Sequence, residues 1–130
     1  MKALTIAAIA IAWLAAGLAQ AAPGSAPTGE QIYRRCYACH AIEPGNNSPA
    51  GPTLAGIVGR PIAAEPGFNY SPALRRLATR HRRWTPDLLD RFLADPEAVA
   101  RGTEMGFIGL RDPDERRTLI DWLGRRTAAR

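Results

Sequence analysis

The 130-residue sequence has few side chains that bind metals tightly: two cysteines, two histidines and two methionines. This scarcity excludes a site with several thiolate- or imidazole-bound metal ions, since each such ion takes about four ligands. Lysine occurs once, at Lys2, so every later basic side chain is an arginine. No segment shows a convincing alternation of apolar and polar residues, which excludes a β-rich fold and favours an all-α domain.

The residues that are present suit one small globular domain. Apolar residues make up 46% and charged residues 22%, a balance that excludes collagen, coiled coils and disorder throughout the chain. Eleven prolines and twelve glycines predict long loops between the helices. The net charge of +5 favours acidic partners, and the acidic residues that lie between the arginines argue against nucleic acid.

The first 21 residues have the features of a secretory signal peptide. Lys2 supplies a positive charge, residues 4–18 are almost wholly apolar, and small residues lie at Ala19 and Ala21. We predict cleavage after about Ala21 and a periplasmic location. An uncleaved membrane anchor is the alternative, but the apolar run is short for a span of about 20 residues.

The rest of the chain is predicted to comprise a flexible leader, residues 22–27, and one helical domain, residues 28–130. A helix start is indicated wherever a capping residue is followed by proline or by a capping-box glutamine. These caps are Thr28, Ser71, Thr85, Asp95 and Asp112. The pattern predicts three to five helices with long loops, the first helix extending over about 29–38.

The segment Cys36-Tyr37-Ala38-Cys39-His40 reads C-x-x-C-H, which is the motif of covalent haem attachment. Its two thiols add to the two vinyl groups of one haem, and the histidine that follows is placed to bind the iron. A redox-active disulfide is one alternative, but such a disulfide typically lies next to a βαβ unit, and the sequence predicts none. A zinc site is the other alternative, with His81 as the fourth ligand.

The iron of a low-spin haem takes two axial ligands, and His40 is the candidate for one of them. After the signal peptide the chain offers Met105 and His81 for the other, because lysine is absent there. His81 lies among arginines, and burying it against a haem would bring their charges with it. We therefore predict Met105 as the sixth ligand; His81 and an open or water-bound iron are the alternatives.

From about residue 28 to 127 the chain resembles the class I c-type cytochromes, the family of mitochondrial cytochrome c and its bacterial periplasmic relatives. Besides CYACH, the resemblance depends on GPTLAGIVGR at 51–60, PGFNYS at 66–71, Trp84 and GTEM at 102–105. It implies the class I cytochrome c fold, in which helices and long loops surround one covalently bound haem c. The axial ligands that it implies are His40 and Met105.

The resemblance also implies roles for residues around the haem. Pro52 matches the proline whose carbonyl accepts a hydrogen bond from the ligand histidine, a contact that orients the ring. Gly29 and Trp122 match the contact between the first and last helices. The residues that match hydrogen-bonding partners of the haem propionates are Arg60, Tyr70, Trp84 and Thr103.

Some positions depart from the family pattern. Phe92 lies where the family often has a tyrosine whose hydroxyl reaches the methionine sulfur. Glu97 and Glu104 stand where the family carries lysines around the exposed haem edge, although Arg35 and Arg111 are present there. The basic ring that docks acidic partners in the family is therefore incomplete in this chain.

The sequence thus predicts a soluble periplasmic monohaem cytochrome that carries single electrons between redox proteins and is not an enzyme. We expect a monomer that meets membranes only through membrane-bound partners or an uncleaved signal. The alternative is a haem-bearing subunit bound permanently to a periplasmic dehydrogenase or reductase. A ligand-binding sensor or a peroxidase would need an open iron site. The densest basic patch, a candidate docking surface, comprises Arg75, Arg76, Arg80, Arg82 and Arg83.

We predict that acid–acetone extraction leaves the haem on the mature protein, because thioether bonds to Cys36 and Cys39 are covalent. Replacing both residues, Cys36→Ala with Cys39→Ala, is expected to prevent folding, since a domain this small uses the cofactor as part of its core. The absorbance of the extracted chain measures the outcome. Release of all the haem would contradict this interpretation of the motif.

Overall fold

The computed structural model describes residues 24–128, with side chains to residue 126. The predicted signal peptide lies outside the described residues, and residues 24–27 of the predicted leader are exposed and without regular secondary structure. No helix within the described part is both long and apolar enough to span a membrane. The described residues form five helices: α1 (Gly29–Tyr33), α2 (Pro72–Arg80), α3 (Pro86–Ala94), α4 (Pro96–Val99) and α5 (Pro113–Ala128).

Each of the five helices begins at a capping residue that was predicted from the sequence. The Thr28 side chain accepts a hydrogen bond from the Gln31 backbone N–H, and the Gln31 side chain accepts one from the Thr28 backbone N–H. Asp112 caps α5 by accepting a bond from the backbone N–H two residues later, at 2.8 Å. A side-chain cap followed by proline begins each remaining helix, at Ser71, Thr85 and Asp95. These local bonds satisfy backbone donors that a helix start leaves unpaired.

The first helix is shorter than predicted, since it ends at Tyr33 rather than near residue 38. Beyond Tyr33 the chain continues as turns: Cys36 N–H donates to the Tyr33 carbonyl at 2.7 Å, and Cys39 N–H donates to the Cys36 carbonyl at 3.0 Å. Two other bonds in this segment join residues four apart, from the Tyr37 N–H to the Tyr33 carbonyl at 3.2 Å and from the His40 N–H to the Cys36 carbonyl at 2.9 Å, so the segment mixes turns of both lengths. Side chains three residues apart in helical turns lie on one face, which places Cys36 and Cys39 toward the same side.

A single apolar core connects the helices. Its largest fully buried side chains include Ile32 of α1, Leu77 of α2 and Leu119 of α5. The helix α5 packs against both α1 and α3. Within residues 24–128 the chain forms two isolated β-bridges and no strand, so the all-α prediction is confirmed.

The crossing of α1 and α5 depends on a close contact between Gly29 and Trp122. Gly29 is buried, and a Cβ added there would overlap the Trp122 Cβ and lie 2.6 Å from its Cγ. The Tyr33 ring stacks on the Trp122 ring with the ring centroids 5.4 Å apart. The predicted contact between the first and last helices is therefore confirmed, and it requires a residue without a side chain at position 29.

We predict that Gly29→Ala lowers the free energy of unfolding by about 1–3 kcal/mol, because the new methyl group forces α1 away from α5. Gly24→Ala is the control, since a Cβ at Gly24 has no atom within 4 Å. Denaturant titration of the haem-loaded variants measures the difference. Equal midpoints for the two variants would contradict the close crossing.

Candidate haem site

The imidazole of His40 is oriented by the carbonyl of Pro52. The His40 Nδ1 lies 2.7 Å from the Pro52 oxygen. A carbonyl oxygen accepts hydrogen bonds and does not donate them, so Nδ1 carries the proton and Nε2 keeps a lone pair for a metal. Burial lowers the pKa of His40, against the opposing effect of the Pro52 bond. The side chain is therefore held in the neutral form that binds metals.

The backbone of His40 is held by a second contact, from α1. The Tyr33 hydroxyl donates a hydrogen bond to the His40 carbonyl at 2.5 Å. Burial raises the pKa of Tyr33, so the hydroxyl keeps the proton that it donates. The stacking on Trp122 fixes the Tyr33 ring between α5 and the C-x-x-C-H motif. His40 is thus connected to the crossing of the first and last helices.

The loop over residues 47–53 lies directly against the C-x-x-C-H motif. Gly51 is buried, and a Cβ there would come 2.6 Å from Cε1 of His40 and 2.8 Å from the Cys39 carbonyl oxygen. Both distances are shorter than any carbon contact that a folded protein tolerates without rearrangement. Glycine at position 51 is what allows Pro52 to approach His40.

Hydrogen bonds within the same loop keep Pro52 in place. The Thr53 hydroxyl is buried and donates to the Glu43 carbonyl at 2.7 Å, while the Thr53 N–H donates to the Asn47 side chain at 2.9 Å. The Ser48 hydroxyl donates to the Cys39 carbonyl at 3.0 Å. Backbone and side chains together therefore attach the loop to the segment that carries the cysteines.

The two cysteines lie at the edge of the core. Cys36 is half-buried and packs against core residues, whereas Cys39 is exposed. Burial raises the pKa of the Cys36 thiol, so this side chain is protonated at neutral pH. No group of three or more metal-binding side chains of the Cys, His, Asp and Glu types occurs in the described part of the chain.

The two candidates for the sixth ligand have different surroundings. Met105 is half-buried and packs against the core, and its N–H donates to the Thr103 hydroxyl at 3.3 Å. Three residues before Met105, Gly102 has a φ of +80°, a backbone conformation that favours glycine. Its N–H donates a hydrogen bond to the Glu97 carboxylate at 3.0 Å. His81 directly follows the last residue of α2 and is half-buried. The arginines on either side of it are exposed.

The Arg60 guanidinium is held by three oxygen acceptors around Nη1, whereas its Nε–H has no partner. Its Nη1 donates to the carbonyls of Thr53 at 2.9 Å and Ala55 at 3.1 Å, and to the Glu65 carboxylate at 3.0 Å. The Arg60 Nε is buried and has no hydrogen-bond partner. An unsatisfied buried donor costs about 1–3 kcal/mol, so this N–H is suited to an anionic acceptor such as a haem propionate.

Tyr70 and Trp84 lie beside Arg60, as the resemblance implies. The backbone N–H of Trp84 donates to the Arg60 carbonyl at 2.9 Å, and the centroids of the Trp84 and Phe92 rings are 5.0 Å apart. The Tyr70 hydroxyl accepts a bond from the Glu65 N–H at 3.3 Å, which leaves its own proton available to donate. Burial raises the pKa of Tyr70, so that proton is retained. These residues fit a cofactor with a buried carboxylate.

Two residues at this site were missed by reasoning from the sequence. Tyr33 precedes His40 by seven residues, and nothing in the C-x-x-C-H motif points to it. Glu65 follows Arg60 by five residues in a loop, and its pairing with the arginine depends on how that loop closes. An acidic residue close to an arginine in a glycine- and proline-rich segment was the one available signal.

The comparisons with known proteins agree with this geometry. No protein-family model matches the chain. The chain is 37% identical over 123 residues to the cytochrome c2 of Rhodomicrobium vannielii, and the match covers 95% of each chain. It is 36% identical over 110 residues to the cytochrome c of Sesamum indicum, and that match covers 84% of this chain and 96% of the other. The cytochrome c2 structure from Rhodospirillum centenum superposes with a TM-score of 0.68 at 32% identity, covering 75% of this chain and 93% of that one. The chain belongs to the class I c-type cytochromes.

Membership of the class I c-type cytochromes decides the cofactor and the kind of activity. The chain is an electron carrier that exchanges electrons with redox partners, and it is not an enzyme. Its cofactor is one covalently bound haem c, with a histidine and a methionine as axial ligands. The predictions of the fold class, the cofactor and electron transfer are confirmed.

We predict that Tyr33→Phe lowers the free energy of unfolding by about 1 kcal/mol, because the His40 carbonyl loses its hydroxyl partner while the ring still stacks on Trp122. Tyr37→Phe is the matched control, since Tyr37 is 66% exposed. Denaturant titrations of the two haem-loaded variants are to be compared. An equal loss in both would show that the Tyr33 hydroxyl does not hold the motif.

Proposed function

We propose that the chain is a soluble periplasmic cytochrome that carries one electron at a time between redox proteins. In this proposal residues 1–21 are removed as a signal peptide, Cys36 and Cys39 bind the haem covalently, and His40 and Met105 bind the iron. When bound, the haem supplies the Fe(II)/Fe(III) couple. The observation that carries the proposal is the 2.7 Å contact between His40 Nδ1 and the Pro52 carbonyl, which leaves Nε2 available to the iron.

The surroundings of the two candidate ligands support Met105 over His81. Met105 packs against the apolar core, on a loop shaped by Gly102 and by the Thr103 hydroxyl. A thioether ligand holds the reduction potential above that of a haem with two histidine ligands. The bond to Pro52 fixes the plane of the His40 ring and makes it a stronger donor to the iron.

The residues proposed to hold the haem propionates are donors that a buried carboxylate needs. Burying a carboxylate without partners is costly, so it requires several N–H or O–H groups. The unpaired Nε of Arg60 and the free hydroxyl proton of Tyr70 support this role. The residues in this proposal are Arg60, Tyr70, Trp84 and Thr103.

The carrier function is tested on the wild-type protein. A redox titration is expected to follow a one-electron curve, the absorption spectrum is expected to be unchanged by carbon monoxide, and gel filtration is expected to show a monomer. Binding of carbon monoxide would indicate the open iron of a sensor or a peroxidase. Co-purification with a dehydrogenase or reductase in a fixed ratio would indicate a permanent subunit.

We predict that Met105→Ala opens the iron, so that the affinity for carbon monoxide rises and the reduction potential falls. His81→Ala is the control and is expected to change neither property. Absorption spectra with carbon monoxide and redox titrations of both variants measure the outcome. The assignment is wrong if His81→Ala opens the iron and Met105→Ala does not.

We further propose that acidic redox partners dock on the exposed arginines of α2 and the segment after it. This α2 arginine surface comprises Arg75, Arg76, Arg80, Arg82 and Arg83, all of them exposed. Between Glu65 and Asp87 the chain has no acidic residue, and none of the ion pairs in the described part involves these five arginines. Arg35, by contrast, is neutralised by Glu115 at 2.6 Å.

The α2 arginine surface adjoins the proposed propionate site. Arg75 Nε donates to the Tyr70 carbonyl at 3.1 Å, and Arg83 Nη1 donates to the Gly59 carbonyl, next to Arg60, at 2.8 Å. These bonds hold the guanidinium groups in place while other N–H groups stay available. A carboxylate-rich partner bound here would therefore lie close to the haem.

We predict that Arg75→Gln, Arg76→Gln and Arg80→Gln together weaken binding to poly-L-glutamate several-fold at low salt. The control triple variant removes the same charge elsewhere, at Arg91, Arg117 and Arg125. The difference is expected to vanish above about 0.3 M salt, where charges are screened over a few ångströms. An equal loss in the two triple variants would show that net charge alone attracts the probe, and stronger binding of the wild type to phosphatidylglycerol vesicles would favour a membrane surface.

A further inference from the structure

Glu65 places a second carboxylate inside the proposed propionate site. Its side chain accepts a hydrogen bond from Arg60 Nη1 at 3.0 Å, and its backbone N–H donates to the Tyr70 hydroxyl at 3.3 Å. The side chains of Arg60 and Glu65 are 13% and 12% exposed. A nearly buried ion pair therefore lies among the residues proposed to bind the haem carboxylate.

The guanidinium of Arg60 has donors for two carboxylates at once. A planar guanidinium carries five N–H groups in a fixed arrangement, distributed over Nε and the two Nη atoms. Nη1 is occupied by Glu65 and by the carbonyls of Thr53 and Ala55, whereas the buried Nε has no partner. The three bonds to Nη1 fix the plane of the guanidinium and with it the direction of the Nε–H bond.

We propose that Arg60 bridges two carboxylates, Glu65 through Nη1 and a haem propionate through Nε, and that Glu65 thereby lowers the reduction potential of the haem. The inference rests on the haem placement under the proposed function. The positive charge of one guanidinium is then shared by two negative groups, which leaves a net negative charge beside the haem. A negative charge stabilises the ferric form, which carries one more positive charge than the ferrous form.

Burial makes this effect stronger than that of a surface carboxylate. Water surrounds little of the Arg60–Glu65 pair, so the field of Glu65 is screened less by solvent and by salt. Glu65 acts as a positioning residue in addition, since it holds the Nη1 end of Arg60. Substitution by glutamine separates the two effects, because a glutamine oxygen still accepts from Nη1 while the negative charge is gone.

The test compares reduction potentials of haem-loaded variants at one pH and low ionic strength. Glu65→Gln is expected to raise the potential, and Glu65→Asp, which keeps the charge, is expected to stay close to the wild type. Asp121→Asn is the matched control, since Asp121 is exposed on α5 and its replacement changes the net charge equally. Its potential is expected to shift much less than that of Glu65→Gln.

A second measurement follows the Arg60 Nε–H directly. In the haem-loaded wild type its proton resonance is expected to be protected from exchange with solvent, and to stay protected in Glu65→Gln. Arg60→Gln serves to assign the resonance. If Glu65→Gln fails to fold, the wild-type exchange rate decides the question, because rapid exchange would overturn the bridge and protection would support it.

The outcomes separate this inference from the proposed function. An unchanged potential in Glu65→Gln, with an intact absorption band of the iron–sulfur bond, overturns the role of Glu65 alone. An equal shift in Asp121→Asn overturns it as well, since net charge would then explain the result. Absence of covalent haem or of a methionine-ligated iron in the wild type would instead overturn the proposed ligand assignment.

Discussion

The hydrogen bond between His40 Nδ1 and the Pro52 carbonyl is the contact on which the site depends. It fixes the tautomer of the imidazole and therefore decides which ring nitrogen keeps a lone pair. The bond forms because Gly51 has no side chain that would collide with the imidazole ring. Tyr33 connects the same histidine to α1, so the packing of the helices and the position of His40 are parts of one arrangement.

The parts of the fold that could be predicted are those decided by neighbouring residues. A capping side chain such as Thr28 acts within three residues, so the helix starts were visible in the sequence. The predicted end of α1 was wrong because the chain continues beyond Tyr33 as turns, which the spacing of apolar residues does not distinguish from an α-helix. Glu65 was missed for the same reason, since its partner depends on the closure of a loop.

Two groups of charged side chains in this small domain have different physical consequences. Buried or half-buried pairs such as Arg60–Glu65 and Arg116–Asp90 hold loops and helices in place. The arginines of α2 have no acidic partner within the described residues and face solvent. The first group shapes the interior around a cofactor, and the second presents an attractive field to acidic molecules.

The α2 arginine surface contains guanidinium groups and no amines, which decides what can regulate it. Acetylation neutralises a lysine, whereas methylation of an arginine leaves its charge in place. The charge of these five side chains is therefore unaffected by reagents that modify amines. Raising the ionic strength weakens the attraction of an acidic partner to this surface. A reagent that couples an amine of the protein to a support, by contrast, leaves all five guanidinium groups unaltered.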